Sequence, residues 1–352
     1  MNRKILITQY REKILNHAVK LFGLEPETMA QYDAYEGCAN LVFKCRRNGE
    51  SVILRVSYSP DRPYEQILAE IHFIQYLSAN DVRVANPLIS DRGKFVEDLS
   101  IEGSLIYLVC FEKGIGMRVP DNNYRYRDDA PIDEYFQNWG AILGQMHACT
   151  KRYQPMDPKI RRPDWFHLHH QKLDIDSLIP DELPLVRKRL YVLLTEIRSL
   201  PKDQENYGLI HGDFNDGNFT VDYSNGNITV FDFDDSCYFW FAYELAAAWE
   251  GGIGRVMFRE LQARQDFMKK YMDQIFLGYS RENHLSEQWK EKIPLFIKLI
   301  QAEELLHYVQ YFHTDDVGVQ SHLRYLIKCI ELDLPYMGFF DSIYSPEKPF
   351  SL

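Results

Sequence analysis

The sequence has 352 residues, which exceeds a typical single domain and favours two domains or two lobes, each able to bury a core. Hydrophobic residues make up 45% and charged residues 26%, an ordinary composition for a soluble globular protein, and no apolar run approaches the roughly 18 to 20 residues that span a bilayer. The formal net charge of −11 disfavours nucleic acid as a partner, because neutralising phosphates requires a basic face.

The amino terminus begins like a secretory signal, with Arg3 and Lys4 before a short apolar run. Polar and charged residues from Gln9 to Glu12 interrupt that run too early for a signal peptide. The sequence therefore predicts a cytoplasmic protein without a membrane partner.

The first structured region combines a helix with a β-hairpin. Residues 11–22 carry apolar side chains at helical spacing, and Gly23 is a stop signal. The apolar runs 40–45 and 51–56 are separated by an Asn-Gly pair, which indicates a hairpin. Before the hairpin, the small-residue loop 36–40 contains Gly37 and Asn40, and we interpret it as a candidate cover for a phosphate group.

A second helix and further strands complete the amino-terminal region. Residues 64–77 place apolar side chains on one helical face, with Glu70 near the middle. Three β signals follow, at residues 87–90, 94–97 and 104–111. The pattern is typical of an antiparallel α+β lobe, and the break near Glu112 predicts a small β-rich lobe over 1–111 and a larger, mainly helical lobe over 112–352.

The second lobe is predicted to be mostly helical, with a Pro-rich loop over 151–165 and two short β runs joined by residues 223–227. Asp133 is in position to cap the first helix of this lobe. The predicted helices are 133–150, 183–200, 239–250, 256–279, 288–312 and 320–332.

The most informative motif, HGDFNDGN, covers residues 211–218. Asp213 lies just past a short apolar run, Asn218 is five residues further on, and Asp232 ends a second apolar run. Magnesium takes hard oxygen ligands, often one or two carboxylates plus substrate phosphates, so an Asn and an Asp at adjoining strand ends suit it. Asp213 would then be free to accept a hydroxyl proton, as expected in a phosphotransferase.

These residues resemble the aminoglycoside phosphotransferase family, which includes choline, ethanolamine and homoserine kinases and is related in fold to protein kinases. The resemblance spans roughly residues 30 to 330. It implies a two-lobed kinase-like fold, ATP or GTP as the phosphoryl donor, and Mg²⁺. Residue by residue, it implies that Asp213 is the catalytic base and that Asn218 and Asp232 are the magnesium ligands.

The resemblance extends to the nucleotide side. Arg55 occupies the position where the family usually has a strand-borne Lys that holds the α- and β-phosphates, and Glu70 matches the helix carboxylate that pairs with this base. The run from Val109 through Phe111 resembles the hinge, whose backbone groups bind adenine.

Several supporting residues also have counterparts in the family. Glu244 stands where a helix that supports the catalytic loop usually carries Asp. His211 is expected to orient the loop by hydrogen bonding, and His147 to be a satisfied core histidine. Asp234 shares a strand face with Asp232 and is a secondary metal candidate.

The resemblance implies that the acceptor is a small molecule with a hydroxyl group, and two interpretations of residues 301–316 stay open. Their acids and aromatics suit a cationic amine or sugar, whereas on an ordinary helix the acids would face water. Two other functions also stay open, namely a protein Ser/Thr kinase and a nucleotide-binding protein that has lost catalysis. The sequence does not determine the oligomeric state.

Overall fold

A computed structural model of the protein describes residues 9–32, 40–58, 62–170, 173–253, 255, 260–312 and 316–334. The signal-like start of the chain and Gly37 of the predicted phosphate-covering loop lie outside these ranges. Among the helices of the described residues, none has both the length and the apolar character that a membrane span needs.

Most of the predicted helices and strands are present, and the structure adds short elements that the sequence does not predict. The helices are α1 Arg11–Phe22, α2 Tyr64–Ala79, α3 Ile132–Thr150, α4 Trp165–Leu168, α5 Ile175–Leu178, α6 Pro184–Arg198, α7 Phe241–Ile253, α8 Leu261–Glu282, α9 Glu287–Lys290, α10 Ile293–Tyr311 and α11 Val317–Leu332. The strands are β1 Ala30–Gln31, β2 Asn40–Arg47, β3 Glu50–Tyr58, β4 Pro87–Leu88, β5 Val96–Ile101, β6 Ser104–Glu112, β7 Tyr207–Ile210, β8 Phe219–Val221, β9 Ile228–Val230 and β10 Cys237–Trp240.

The amino-terminal sheet is antiparallel, with strand order β1-β2-β3-β6-β4 and β5 paired to β6. The predicted hairpin between β2 and β3 is confirmed, because Asn48 and Gly49 both adopt positive φ angles, 52° and 80°. Such a two-residue turn matches the twist of the strands it joins. Helix α1 packs its apolar face, with Ile14 and Phe22, into the core of this sheet and ends at Gly23, as predicted.

The chain forms two compact units that interleave along the sequence. Residues 1–121, 153–162 and 219–234 make up the first, and the remaining segments make up the second. The segment 219–234 joins the first unit because its backbone bonds to it. The Val230 amide donates to the Arg83 carbonyl at 3.0 Å, and the Val221 amide donates to the Met117 carbonyl at 2.9 Å. The predicted lobes, 1–111 and 112–352, were continuous, and their functional division stays a prediction.

The second unit is built on two helices in very close contact, α3 and α8. A Cβ atom on Gly140 would lie 1.9 Å from the Ile275 carbonyl oxygen, and one on Gly278 would lie 1.9 Å from that of Gln137. Only glycine fits at these two positions, since real contacts of a Cβ atom are longer. The pairing brings the backbones together and fixes α3, which carries His147.

Some predicted boundaries are wrong in the second unit. Phe239 and Trp240 belong to strand β10, which pairs with β7, and helix α7 begins only at Phe241. An unbroken apolar run does not distinguish a buried strand from a buried helix. Asp133 does not cap α3, because the helix begins at Ile132 and the capping position is Pro131.

The predicted helix 288–312 is divided into α9 and α10, with a proline at the start of α10. Proline lacks the amide hydrogen that an uninterrupted helix needs at this position and is therefore favoured in a first turn. The helix predicted from 256 is described only from Leu261, and residues 256–259 lie outside the described residues.

Candidate active site

The predicted catalytic loop follows strand β7, and its exposed Asp213 carboxylate is held by two amide side chains. Asn218 donates from Nδ2 to Asp213 Oδ2 at 2.8 Å, and Asn215 donates from Nδ2 to Oδ1 at 2.9 Å. The Asn218 amide also donates to the Asp213 backbone carbonyl at 2.8 Å. The structure therefore brings Asp213 and Asn218 together, as the motif predicts, and fixes the carboxylate through both oxygens.

The start of the loop depends on Gly212. Its φ angle is +90°, and a Cβ atom at this position would lie 2.2 Å from the carbonyl oxygen of Asp235. Both the backbone conformation and the close approach require glycine. His211, which is buried, accepts a hydrogen bond at Nδ1 from the Asp213 amide at 3.3 Å, as expected for a residue that orients the loop.

Glu244 supports the loop from helix α7, through a network that the sequence predicts in part. Its Oε1 accepts from the Gly212 amide at 2.9 Å, and its Oε2 lies 2.7 Å from His147 Nε2. His147 Nδ1 lies 2.9 Å from the Tyr279 hydroxyl, which accepts from Asn283 at 2.7 Å. When His147 is protonated on Nε2, each of these hydrogen bonds has one donor and one acceptor. The prediction of a satisfied core histidine is confirmed.

A second contact fixes the middle of the loop and was not predicted. Asp216 Oδ2 accepts from Arg255 Nη2 at 2.8 Å. The Arg255 guanidinium lies over the rings of Tyr124 and Tyr135, with centroids at 5.2 and 5.1 Å. Cation–π contact of this kind holds a guanidinium in place at little cost in hydration. Nothing in the spacing of these residues along the sequence signals the pairing.

Arg55 and Glu70 form the predicted ion pair of the first unit. Two parallel hydrogen bonds of 2.7 Å join the guanidinium to both carboxylate oxygens, and the side chains are only 5% and 2% exposed. Burial alone would lower the pKa of Arg55, but the charge and hydrogen bonds of Glu70, with the charges of Asp234 and Asp232, raise it above its ordinary value. Arg55 is therefore a permanent, oriented cation.

The predicted hinge lies in strand β6. Val109 is opposite Arg55 of β3 on one side and Val96 of β5 on the other. The Phe111 ring lies 5.0 Å from the Arg55 guanidinium. Where the strand ends, the Glu112 amide donates to the Asn86 carbonyl at 2.8 Å. Adenine binding by Val109 and Phe111 stays a prediction.

Asp232 lies in a turn of the first unit, with an exposed side chain and a φ angle of 67°. Two residues later, Asp234 accepts at Oδ2 from Asn40 Nδ2 at 2.7 Å and from Arg62 Nη2 at 2.9 Å. Asn40 also accepts from the Ser57 hydroxyl at 2.7 Å. Sequence reasoning missed Arg62, because residues 59–63 show no periodic pattern.

The second unit contains three half-buried glutamates, one of which contacts Tyr243. Its hydroxyl donates to Glu303 Oε2 at 3.0 Å, and burial, Glu303 and Asp213 raise its pKa well above the ordinary value. Burial, followed by the charges of Glu304 and Asp213, raises the pKa of Glu250 to about 7. Glu303 and Glu304 are both half-buried. We call Glu250, Glu303 and Glu304 the acidic cluster.

The fold and these residues define a kinase-like phosphotransferase. Residues 34–275 match the model of the phosphotransferase enzyme family, and the chain belongs to that family. It is therefore a small-molecule kinase with a hydroxyl acceptor, and it uses ATP with a divalent metal ion. The predicted family, α+β fold class and phosphotransferase activity are confirmed.

Among its relatives, the chain is 29% identical to amicoumacin kinase of Bacillus subtilis (strain 168), over 318 residues that cover 89% of each chain. A solved structure of amicoumacin kinase hAmiN in complex with AMP-PNP, Ca²⁺ and Ami has a TM-score of 0.85 at 28% identity, covering 95% of this chain and 97% of that one. A microcompartment-associated aminopropanol kinase is similar in fold, with a TM-score of 0.70 at 19% identity, covering 91% and 95%.

Proposed function

We propose that this chain transfers the γ-phosphoryl group of ATP to a hydroxyl group of a small molecule that also carries a protonated amine. The acidic cluster is the observation that carries this proposal. Burial, together with the nearby charges of Glu304 and Asp213, raises the pKa of Glu250 to about 7. Like charges in a partly buried position are costly unless a cation joins them, so their proximity supports a cationic acceptor.

In the proposed reaction, Asp213 is the general base. The acceptor oxygen bonds to the γ-phosphorus as the bond between that phosphorus and the β,γ-bridging oxygen breaks, and the hydroxyl proton moves to Asp213. Amide donors on both carboxylate oxygens keep Asp213 in one orientation. Such positioning accounts for much of the rate in phosphoryl transfer, which requires little covalent chemistry from the protein.

Asn218 and Asp232 are the proposed ligands of a magnesium ion. Asn218 uses its amide nitrogen toward Asp213, which leaves Oδ1 as the acceptor atom of that side chain. Asp232 has an exposed carboxylate. Both groups are hard oxygen donors that fit magnesium. When bound, the ion would neutralise charge that develops on the transferred group.

Arg55 is the proposed contact to the nucleotide phosphates, oriented by Glu70. Its Nη atoms serve Glu70, whereas its Nε is buried without a hydrogen-bond partner among the described residues. A buried unpaired donor is costly, so an oriented anion in the functional state accounts for it. The guanidinium keeps the positive charge that the family's usual Lys would supply.

Labelled ATP, incubated with the protein and a panel of amino alcohols and aminoglycosides, tests the proposal. Amicoumacin and 1-amino-2-propanol are the first acceptors to try, because the relatives are kinases of amicoumacin and aminopropanol. For each acceptor that is phosphorylated, the N-acetylated form is the matched control, since it keeps the hydroxyl and removes the cation. Equal kcat/KM for both forms would refute a cationic acceptor.

Replacement of the base is the second test, and we expect Asp213→Asn to lower kcat by at least about 100-fold, the range for losing general base catalysis. Asp203→Asn is the matched control, because Asp203 is an exposed acid of the same unit outside the loop. Near-full turnover by Asp213→Asn would require a different base.

A further inference from the structure

Arg162 is a buried arginine whose guanidinium donates to two backbone carbonyl oxygens. It is 3% exposed. Its Nη1 donates to the Gln66 carbonyl of α2 at 3.2 Å, and its Nη2 donates to the Asp234 carbonyl at 2.6 Å. All three residues belong to the first unit. A buried guanidinium is costly to desolvate, so two carbonyl partners from different segments point to a defined task.

The Gln66 carbonyl connects Arg162 to the Arg55–Glu70 ion pair. In an α-helix, the carbonyl of one residue accepts from the amide four residues further on, which for Gln66 is Glu70. Arg162 therefore contacts the turn of α2 from which the Glu70 side chain reaches Arg55. Any shift of that turn would move the oriented cation as well.

The Asp234 carbonyl connects Arg162 to the turn that carries Asp232. Asp232 has φ 67°, a left-handed conformation that costs a non-glycine residue about 1 to 2 kcal/mol. A short 3₁₀ turn, Phe233–Asp235, follows it directly. Arg62 Nη1 donates to the same Asp234 carbonyl at 2.6 Å. Two arginines, Arg62 and Arg162, therefore donate to the Asp234 carbonyl and fix the strained turn.

Aromatic packing holds the same three segments together. Tyr153, on the segment of Arg162, has its ring centroid 5.3 Å from Phe73 and 5.1 Å from Tyr76, both on α2. Phe73 in turn makes an edge contact with Phe233 at 5.8 Å. The segment 153–162, which the sequence predicts only as a Pro-rich loop, is thus bound to α2 and to the turn.

We propose that Arg162 is a positioning residue that sets the orientation of the Asp232 carboxylate for metal binding. It also keeps that carboxylate in a fixed position relative to the Arg55–Glu70 pair. The inference rests on the proposed role of Asp232 as a metal ligand. Arg162 acts through the Asp234 carbonyl, in the way that outer hydrogen bonds orient metal ligands.

The expected signature is a loss of metal affinity with little change elsewhere. In Arg162→Met, the Mg²⁺ concentration for half-maximal turnover should rise roughly 10- to 100-fold, the usual effect of losing a residue that orients a metal ligand. The KM of the acceptor should stay within about twofold, because the acidic cluster belongs to the second unit. A general loss of folding would instead change all parameters together.

Calorimetric titration with AMP-PNP, with and without Mg²⁺, provides a readout that does not depend on turnover. We expect Arg162→Met to weaken the Mg²⁺-dependent part of AMP-PNP binding by a larger factor than the metal-free binding, which depends on Arg55. Arg161→Met is the matched control, since Arg161 is the adjacent, exposed arginine. Arg162→Lys keeps the charge but replaces the two guanidinium nitrogens that serve the two carbonyls by a single nitrogen, so it should give an intermediate defect if the methionine variant is unstable.

Asp232→Asn separates failure of this inference from failure of the proposed function. If Asp232→Asn leaves the Mg²⁺ dependence of AMP-PNP binding unchanged, Asp232 is not a metal ligand and the proposed function loses its metal site. If Asp232→Asn abolishes that dependence while Arg162→Met and Arg162→Lys both retain it, the metal assignment stands and the role of Arg162 is refuted.

Discussion

Replacing Glu250 by glutamine should stabilise the fold and impair acceptor binding at the same time. Burial and the nearby charges of Glu304 and Asp213 raise the pKa of Glu250 from 4.5 to about 7. A carboxyl group whose pKa is higher in the folded than in the unfolded state loses stability as pH rises from about 4.5 to about 7. Above that window the ionised group destabilises the protein, and glutamine removes the charge.

The expected change in folding free energy follows from the pKa shift of Glu250. From 4.5 to about 7, at about 1.4 kcal/mol per pKa unit, the ionised carboxylate costs about 3 kcal/mol of folding free energy. The amide group that the substitution introduces must also find hydrogen bonds in a largely buried position, so a gain of about 1 to 2 kcal/mol at pH 8 is the realistic expectation. Below about pH 4.5 the gain should vanish, because both states of the parent protein are then protonated.

Urea unfolding at pH 8 tests the expected gain in stability, and acceptor kinetics from pH 6 to 8 test the expected loss of acceptor binding. For the parent protein, the KM of a cationic acceptor should fall by up to about tenfold as pH rises through about 7, because the cation binds the ionised carboxylate. Glu250→Gln should raise that KM and remove its pH dependence. Glu196→Gln, an exposed helix glutamate with the same charge change, is the control. Lower stability at pH 8 with an unchanged acceptor KM would refute the reasoning.

Two further substitutions probe the support of the catalytic loop. Glu244→Asp restores the residue usual in the family but withdraws the carboxylate from Gly212 and His147, so the free energy of unfolding should fall by about 1 to 3 kcal/mol and kcat by about tenfold or more. Unfolding and kinetics equal to those of Glu196→Asp would contradict this. Gly212→Ala places a methyl group 2.2 Å from the Asp235 carbonyl at φ +90°, and we expect loss of the fold or of turnover by circular dichroism and kinetics. Gly93→Ala, with φ +77° and no atom within 4 Å, isolates the backbone cost alone, and an equal effect of both alanines would show that the close contact contributes nothing.

The sequence predicts the parts of the site that depend on local pattern. The HGDFNDGN motif fixes the spacing of Asp213 and Asn218, and the family resemblance pairs Arg55 with Glu70. It does not predict the contacts of Arg162 with the Gln66 and Asp234 carbonyls, because every residue along a chain presents a backbone carbonyl. Likewise, Asp232 adopts positive φ only because surrounding bonds enforce it.

Arg55 and Glu244 are the two departures from the family pattern, and they were the only sequence support for a protein that has lost catalysis. Both are longer than the usual residue, and each makes two hydrogen bonds. Arg55 makes a two-bond fork with Glu70, and Glu244 contacts Gly212 and His147 with one oxygen each. An inactive protein would have no reason to keep a buried acid hydrogen-bonded to the catalytic loop, since an unpaired buried carboxylate is costly and an apolar residue would fill the space. The departures therefore support an adjusted active site, and they make Glu244→Asp a substitution toward the family residue that should reduce activity.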